Sequence, residues 1–190
     1  ADHVEEPGEE YLDTIRENAG HAVELTRTAG ETADMLLRTE DQYQDVDLLR
    51  VLDTELEDLR DAYPEAIIIA ESPLPTVTVR ANDLLDSVFR NLLKNAIQHN
   101  DAALPEVHLS AEEREGVVEV RIADNGPGVP DDRKREIFGK GNKGLESTGV
   151  GLGLYLVHTL VESYGGAVWV EDSEPTGTVF VVELPIADST

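Results

Sequence analysis

Ile122-Ala123-Asp124-Asn125-Gly126-Pro127-Gly128-Val129-Pro130 opens a glycine-rich stretch that Ser147-Thr148-Gly149-Val150-Gly151-Leu152-Gly153-Leu154 closes. Before it, Val117 to Ile122 alternates as a strand does; after it, Leu154 to Tyr164 reads as a helix. A carboxylate at a strand end, then glycines, then a helix start is a layout suited to an anionic ligand. The first helical N–H groups are unpaired and carry the positive end of the dipole, and glycine lets backbone approach closely. Arg133, Lys134, Arg135, Lys140 and Lys143 crowd into eleven residues of this stretch, in a chain of net charge −25. Scarce cations placed beside a glycine loop point to an anion neutralised there. The competing reading is a solvated basic turn with flexible glycines.

Common phosphate loops fail on spacing. No G-x-x-x-x-G-K-[ST] occurs, glycines 149, 151 and 153 do not make G-x-G-x-x-G, and neither H-R-D nor D-F-G is present. The length of 190 residues predicts one domain with an appendage. The longest apolar run, Gly149 to Val157, falls far short of the roughly 20 residues a membrane span needs. No signal peptide is visible, and a start at Ala1 without Met reads as a fragment. Without cysteine there is no disulfide framework or thiolate metal site. Forty Asp and Glu face fifteen Lys and Arg, eleven of them Arg, spread along the chain. Such acidity suits an extreme halophile, where about 1 M salt shortens the screening length to roughly 3 Å, from about 8 Å at 0.15 M. An acidic mesophile protein is the alternative, and nucleic acid is not an expected partner.

In chain order, residues 9–38 predict one long helix. Leu12, Ile15, Ala19, Ala22, Thr26, Ala29, Ala33 and Leu36 form a narrow seam that needs a partner helix, from this chain or a second copy. A single-helix linker is the bland alternative, and His21 beside the seam reads as structural. Residues 38–45 are polar and mark a boundary, so that 1–40 and 41–190 separate. Leu48, Leu49, Leu52, Leu56 and Leu59 predict a helix over 46–61, ended by Pro64. Strands follow at 66–70 and 76–79, then a helix over 82–99. In that helix Asn91 and Asn95 lie four apart, one above the other. Asparagine is a poor helix former, so the stacked pair calls for a reason. Neutral amide oxygens suit Mg²⁺ that also holds phosphate and water, although taken alone a surface-facing pair is the readier reading. Hairpins are expected over 104–111 with 117–123, and over 167–171 with 178–184 around Glu174-Pro175-Thr176-Gly177. The order predicts an α+β fold, a mostly antiparallel sheet with helices on one face.

Four motifs, in order, resemble the ATP-binding domain of sensor histidine kinases in the GHKL superfamily, of halophilic archaeal type by composition. Asn91-Leu92-Leu93-Lys94-Asn95-Ala96 is similar to the N box and Asp124-Asn125-Gly126-Pro127-Gly128 to the first glycine box. Ile137-Phe138-Gly139-Lys140-Gly141 is similar to the F box, and Thr148 to Leu154 to the second glycine box. The likeness covers about residues 46–185 and implies a two-layer sandwich of the GHKL (Bergerat) type. Residues 9–38 resemble the second helix of the family's dimerisation hairpin.

Carried over by position, the resemblance implies that Asp124 accepts the adenine amine, with Gly126 and Gly128 shaping the wall. It implies Asn95 on Mg²⁺, Asn91 at the phosphates and His99 near the nucleotide. Lys140 and Lys143 would lie on a lid, and Gly149, Val150, Gly151, Leu152 and Gly153 at the phosphate-binding helix start. The chain departs from the usual pattern at Gln98, where Lys is common, and at Val150. GHKL hydrolases carry a Glu where this chain has Asn91, and an amide is no general base; transfer to a protein side chain is therefore expected over hydrolysis. No His of the five is followed by Asp or Glu, so the resemblance implies an acceptor histidine outside the chain, on an upstream helix or on another protein. ATP, Mg²⁺, a response regulator and a second copy paired through the N-terminal helix are the implied partners. The implied location is cytoplasmic, in a full-length protein that is membrane-associated in many such systems. A serine kinase of the anti-sigma-factor type and a non-catalytic ATP-dependent docking module are the alternatives.

Overall fold

A computed structural model describes residues 23, 26, 30, 43–71, 73–139 and 153–187. The expected N-terminal helix lies outside the described residues except at Val23, Thr26 and Gly30, which are helical. Helix α1 (Leu48–Ala62) starts at Asp47, whose carboxylate accepts from Arg50 N at 3.3 Å. Such a cap satisfies one of the orphan donors of the first turn. Leu48, Leu52, Leu56 and Leu59 recur every turn and are buried, and Pro64 follows the end of the helix. Helix α2 (Leu85–Gln98) buries Leu85, Val88, Phe89, Leu92 and Ala96 against the sheet and its helical neighbours. It begins three residues later than the sequence predicts. Asn82 Oδ1 accepts from Leu84 N at 2.9 Å and from Tyr164 Oη at 2.7 Å, so residue 82 forms a side-chain-closed turn ahead of the helix. Helix α3 (Gly153–Ser163) buries Leu156, Val157, Leu160 and Val161.

The main sheet joins β2 (Ile67–Ala70), β4 (Glu106–Arg114), β5 (Val117–Asp124), β7 (Thr178–Pro185) and β6 (Ala167–Asp172) in that spatial order. Only β2–β4 is parallel; the three other pairings are antiparallel. The β4–β5 turn has positive φ at both Glu115 and Gly116, as a two-residue hairpin requires. A separate antiparallel pair, β1 (Gln44–Asp47) with β3 (Thr78–Ala81), reaches the main sheet by a bridge between Val79 and Ile186. Strand β1 corrects the sequence reading, which placed residues 44 and 45 in a polar boundary and 46 and 47 in the helix. Its one apolar residue, Val46, gives no periodicity, and pairing with β3 overrides weak local preference.

The expected one-sided arrangement holds. Val107, Leu109, Val118, Val120, Ile122, Phe180, Val182 and Leu184 are buried in one core with the helices. On the opposite face Arg114 and Arg121 both pair with the buried carboxylate of Glu119, at 3.1 and 3.3 Å. Arg121 also pairs with Glu171, which accepts from Trp169 Nε1 at 2.7 Å. An antiparallel sheet with one bare face covers it with polar side chains in this way.

Candidate nucleotide site

Asp124 is the last residue of β5 and is only 8% exposed. Its Oδ1 accepts from Gly126 N at 2.9 Å and Thr178 N at 3.1 Å. Burial pushes the carboxyl up from its ordinary value, and those donors oppose the shift. Donors fixed on one oxygen orient the carboxylate, a prerequisite for reading a ligand's edge.

The glycines around it are there for contact. A Cβ on Gly126 would lie 3.0 Å from Asp124 Oδ1 and 3.4 Å from Asn100 Cα. Gly128 has φ +78° and faces the carbonyl of Gly177. Gly177 itself has φ +130°, and any Cβ there would run into the Asp124 carbonyl. The sequence showed Gly177 only as a turn residue. Its place against Asp124 follows from the β5–β7 pairing, which sets Ala123 opposite Val179.

Asn91 and Asn95 come from α2. The structure corrects the surface-facing reading for Asn91, which is 6% exposed and donates from Nδ2 to Ser87 O at 2.7 Å. A Cβ on Gly153 would lie 2.7 Å from Asn91 Oδ1, so glycine lets the start of α3 close onto this amide. Asn95 is half-buried one turn on, and among the described residues its side chain makes no hydrogen bond. His99 caps α2 through N–H to Asn95 O at 3.2 Å, with one side open to solvent. Desolvation by the surrounding chain pulls its imidazole below the ordinary value, which favours the neutral form. Gln98 donates to Tyr63 Oη at 3.1 Å, an interaction with the end of α1.

Of the basic cluster, Lys134 is already committed. It pairs with Asp131 at 2.6 Å and Asp172 at 2.7 Å, fastening the 131–138 turn to the end of β6. The pooled reading of these cations as anion ligands therefore fails for Lys134. Phe138 is buried, its ring 5.9 Å from His158. Lys140, Lys143, Gly149, Val150, Gly151 and Leu152 lie outside the described residues. The structure thus gathers Asp124, Gly126, Gly128 and Gly177 at one end of the sheet, and Asn91 with Gly153 where α2 meets α3.

The family "Histidine kinase-, DNA gyrase B-, and HSP90-like ATPase" matches residues 81–188, which hold all of these groups. The chain belongs to this family. The sensor-type histidine kinase PrrB of Mycobacterium tuberculosis is 34% identical over 167 residues, 86% of this chain and 37% of PrrB. The chain thus spans little more than a third of that relative. The solved ATP-binding domain of PrrB from M. tuberculosis superposes with TM-score 0.65 at 30% identity, covering 77% of this chain and 99% of that one. Full-length ShkA, solved in complex with AMPPNP, gives TM-score 0.72 at 27% identity, over 100% of this chain and 41% of ShkA. As a member of this family, the chain has the ATP-binding α+β fold of histidine kinase catalytic domains, with a mixed sheet and helices on one face. Among the described residues no helix is long and apolar enough to cross a membrane.

Proposed function

We propose that the chain is the catalytic part of a two-component sensor histidine kinase, moving the γ-phosphate of Mg·ATP to a histidine outside this chain. The observation that carries the reading is the buried Asn91 amide closed against Gly153 at the start of α3, with oriented Asp124 at the end of β5 in the sheet beneath the helices. Asp124 accepts the adenine amine, with Gly126 and Gly128 as the wall. His99 lies beside the nucleotide. Asn91 and the α3 N-terminus, with Gly149, Val150, Gly151, Leu152 and Gly153, take the phosphates. Lys140 and Lys143 are assigned to the same anion.

The residues fit Mg²⁺ in its usual nucleotide mode. Among the described residues no group of three carboxylate, His or Cys ligands exists, so a dedicated protein cage is not on offer. A hard amide oxygen at Asn95 beside the phosphate site is what an ion that keeps waters and substrate oxygens requires. When bound, the ion would neutralise charge on the phosphate oxygens. The chain's own contribution is positioning. Asn91 stands where a hydrolase needs a base, its amide donates to Ser87 O, and an amide takes no proton from water. This supports transfer over hydrolysis.

The further parts of the proposal are a boundary between 1–40 and 41–190, dimerisation through 9–38, an upstream acceptor helix, a response regulator as phosphate recipient and a halophilic source. The test is γ-labelled ATP with this chain and a supplied acceptor hairpin. Acid-labile label on the hairpin histidine, and none on this chain alone, is expected. Tight ATP binding without transfer to any hairpin offered would favour a docking module, and label on serine the anti-sigma-factor type of kinase.

A further inference from the structure

Two side-chain amides join the halves of the site. Asn125 directly follows Asp124. Its Oδ1 accepts from Asn100 Nδ2 at 2.8 Å and from Glu106 N at 2.9 Å, and its Nδ2 donates to Leu104 O at 3.1 Å. Two donors face one end of the amide and a carbonyl faces the other, so a single amide orientation satisfies all three bonds. The β4–β5 ladder ends with Val107 opposite Asp124. Asn125 therefore continues the pairing one step further, with a side chain in place of backbone.

Asn100 is used as fully. Its Nδ2 also reaches Ala96 O at 3.3 Å, and its Oδ1 accepts from Ala102 N at 3.0 Å. Ala96 adjoins Asn95 in α2, and Gly126 packs on Asn100, where a Cβ would lie 3.4 Å from Asn100 Cα. One chain of contacts thus runs from the C-terminal turn of α2, through Asn100 and Asn125, to the loop carrying Asp124 and Gly126.

We infer that Asn100 and Asn125 are positioning residues that set base selectivity, their amide clasp holding the Asp124–Gly126 loop in fixed register with α2. The inference rests on the reading of Asp124 as the base acceptor. Asp124 keeps its two backbone donors when the clasp is lost, so the carboxylate stays oriented within its own loop. What loosens is the distance between that loop and the α2 groups at the other end of the nucleotide. A base that must meet Asp124 while its phosphates are held at α2 and α3 then loses its advantage over one that cannot use Asp124.

The test titrates the whole 190-residue chain calorimetrically with non-hydrolysable ATP and GTP analogues, alongside thermal melts. In Asn100→Ala, affinity for the ATP analogue should fall about 5- to 20-fold and that for the GTP analogue less than about 2-fold. Asn125→Asp keeps an oxygen for both accepted bonds but sets a second, charged oxygen against the Leu104 carbonyl, so it too should open the clasp and lower the selectivity. A merely structural role would lower melting and weaken both analogues by one factor. An unchanged affinity ratio in both variants therefore overturns the inference. If the wild-type chain prefers neither analogue, the Asp124 assignment fails first and takes this inference with it.

Discussion

Gly153→Ala tests the contact that seats α3 on α2. The new Cβ would stand 2.7 Å from Asn91 Oδ1 and 3.5 Å from its Cγ. An ordinary contact needs roughly 3.5 Å, so one group must give by about 0.8 Å. Asn91 is no loose side-chain end, being buried and held to Ser87 O at 2.7 Å. Turning its amide away strands a buried donor at about 1–3 kcal/mol, and displacing α3 instead costs about as much. Alanine's helix preference offsets up to about 1 kcal/mol. The net loss of about 0.5–2 kcal/mol lowers the melting temperature by roughly 1–8 °C in a protein of this size. Affinity for a non-hydrolysable ATP analogue should fall roughly 5- to 30-fold, through misplaced Asn91, with adenosine affinity nearly unchanged. In an Asn91→Ala background the same substitution should leave melting almost unaltered, since the clash has gone. Calorimetry with both ligands, and melts of the four proteins, measure this. Equal losses for adenosine and the analogue, or the same melting penalty in the Asn91→Ala background, would refute the reasoning.

Gly177→Ala forces a Cβ into the Asp124 carbonyl at a φ of +130°, and should cost about 2–4 kcal/mol in urea unfolding; an unchanged midpoint would count against that packing. Burial raises the Asp124 pKa above its ordinary 3.8, so its contribution to the stability of the unliganded fold is fully present below the unfolded value and lost as pH rises through the folded one. With Asp124 proposed as the acceptor of the adenine amine, adenosine affinity should fall on acidification through the raised pKa, and Asp124→Asn should flatten the profile; the same pH dependence in wild type and variant would remove Asp124 as acceptor. A net charge of −25 predicts that helical circular dichroism and melting temperature rise between about 0.1 and 3 M KCl, whereas full structure with constant melting at low salt would remove the halophile reading.

Elements with strong periodicity were legible from the sequence. Leu48, Leu52, Leu56 and Leu59 gave α1, and alternation gave the β4–β5 and β6–β7 hairpins to within a few residues. What stayed hidden depends on distant pairing. Strand β1 exists because Val46 finds Val79, and the parallel β2–β4 ladder leaves no trace in the local pattern of either strand. The site divides the same way. Asp124, Gly126 and Gly128 announce themselves in five consecutive residues, and the spacing of Asn91 and Asn95 shows a shared helix face. Gly177 and Thr178 complete the Asp124 environment from more than fifty residues away. A Pro-Thr-Gly turn looks alike wherever it packs. Asn100, next to His99, carried a usable signal, since an asparagine just past a helix end invites a question about its partner.

The buried polar groups explain why this end of the molecule holds its shape. Asp124, Asn91 and Asn82 are all nearly sealed from solvent, and each has hydrogen-bond partners contributed by a neighbouring turn or a remote element. Glu55 obeys the same rule one layer away. Burial raises its pKa, yet the Arg90 fork bonds both its oxygens at 3.2 and 2.8 Å and ties α1 to α2 immediately beside Asn91. Unpaired, any of these groups would cost about 1–3 kcal/mol or more. Asp124 is therefore satisfied only with β5 in register beside Thr178 of β7, Asn82 only with Tyr164 beside it at the end of α3, and Glu55 only with α1 set against α2. Apolar packing among leucines and valines would permit small slides between these elements. The polar contacts remove that freedom at Asp124, which is assigned to the nucleotide, and at Arg90, which adjoins Asn91 in the chain.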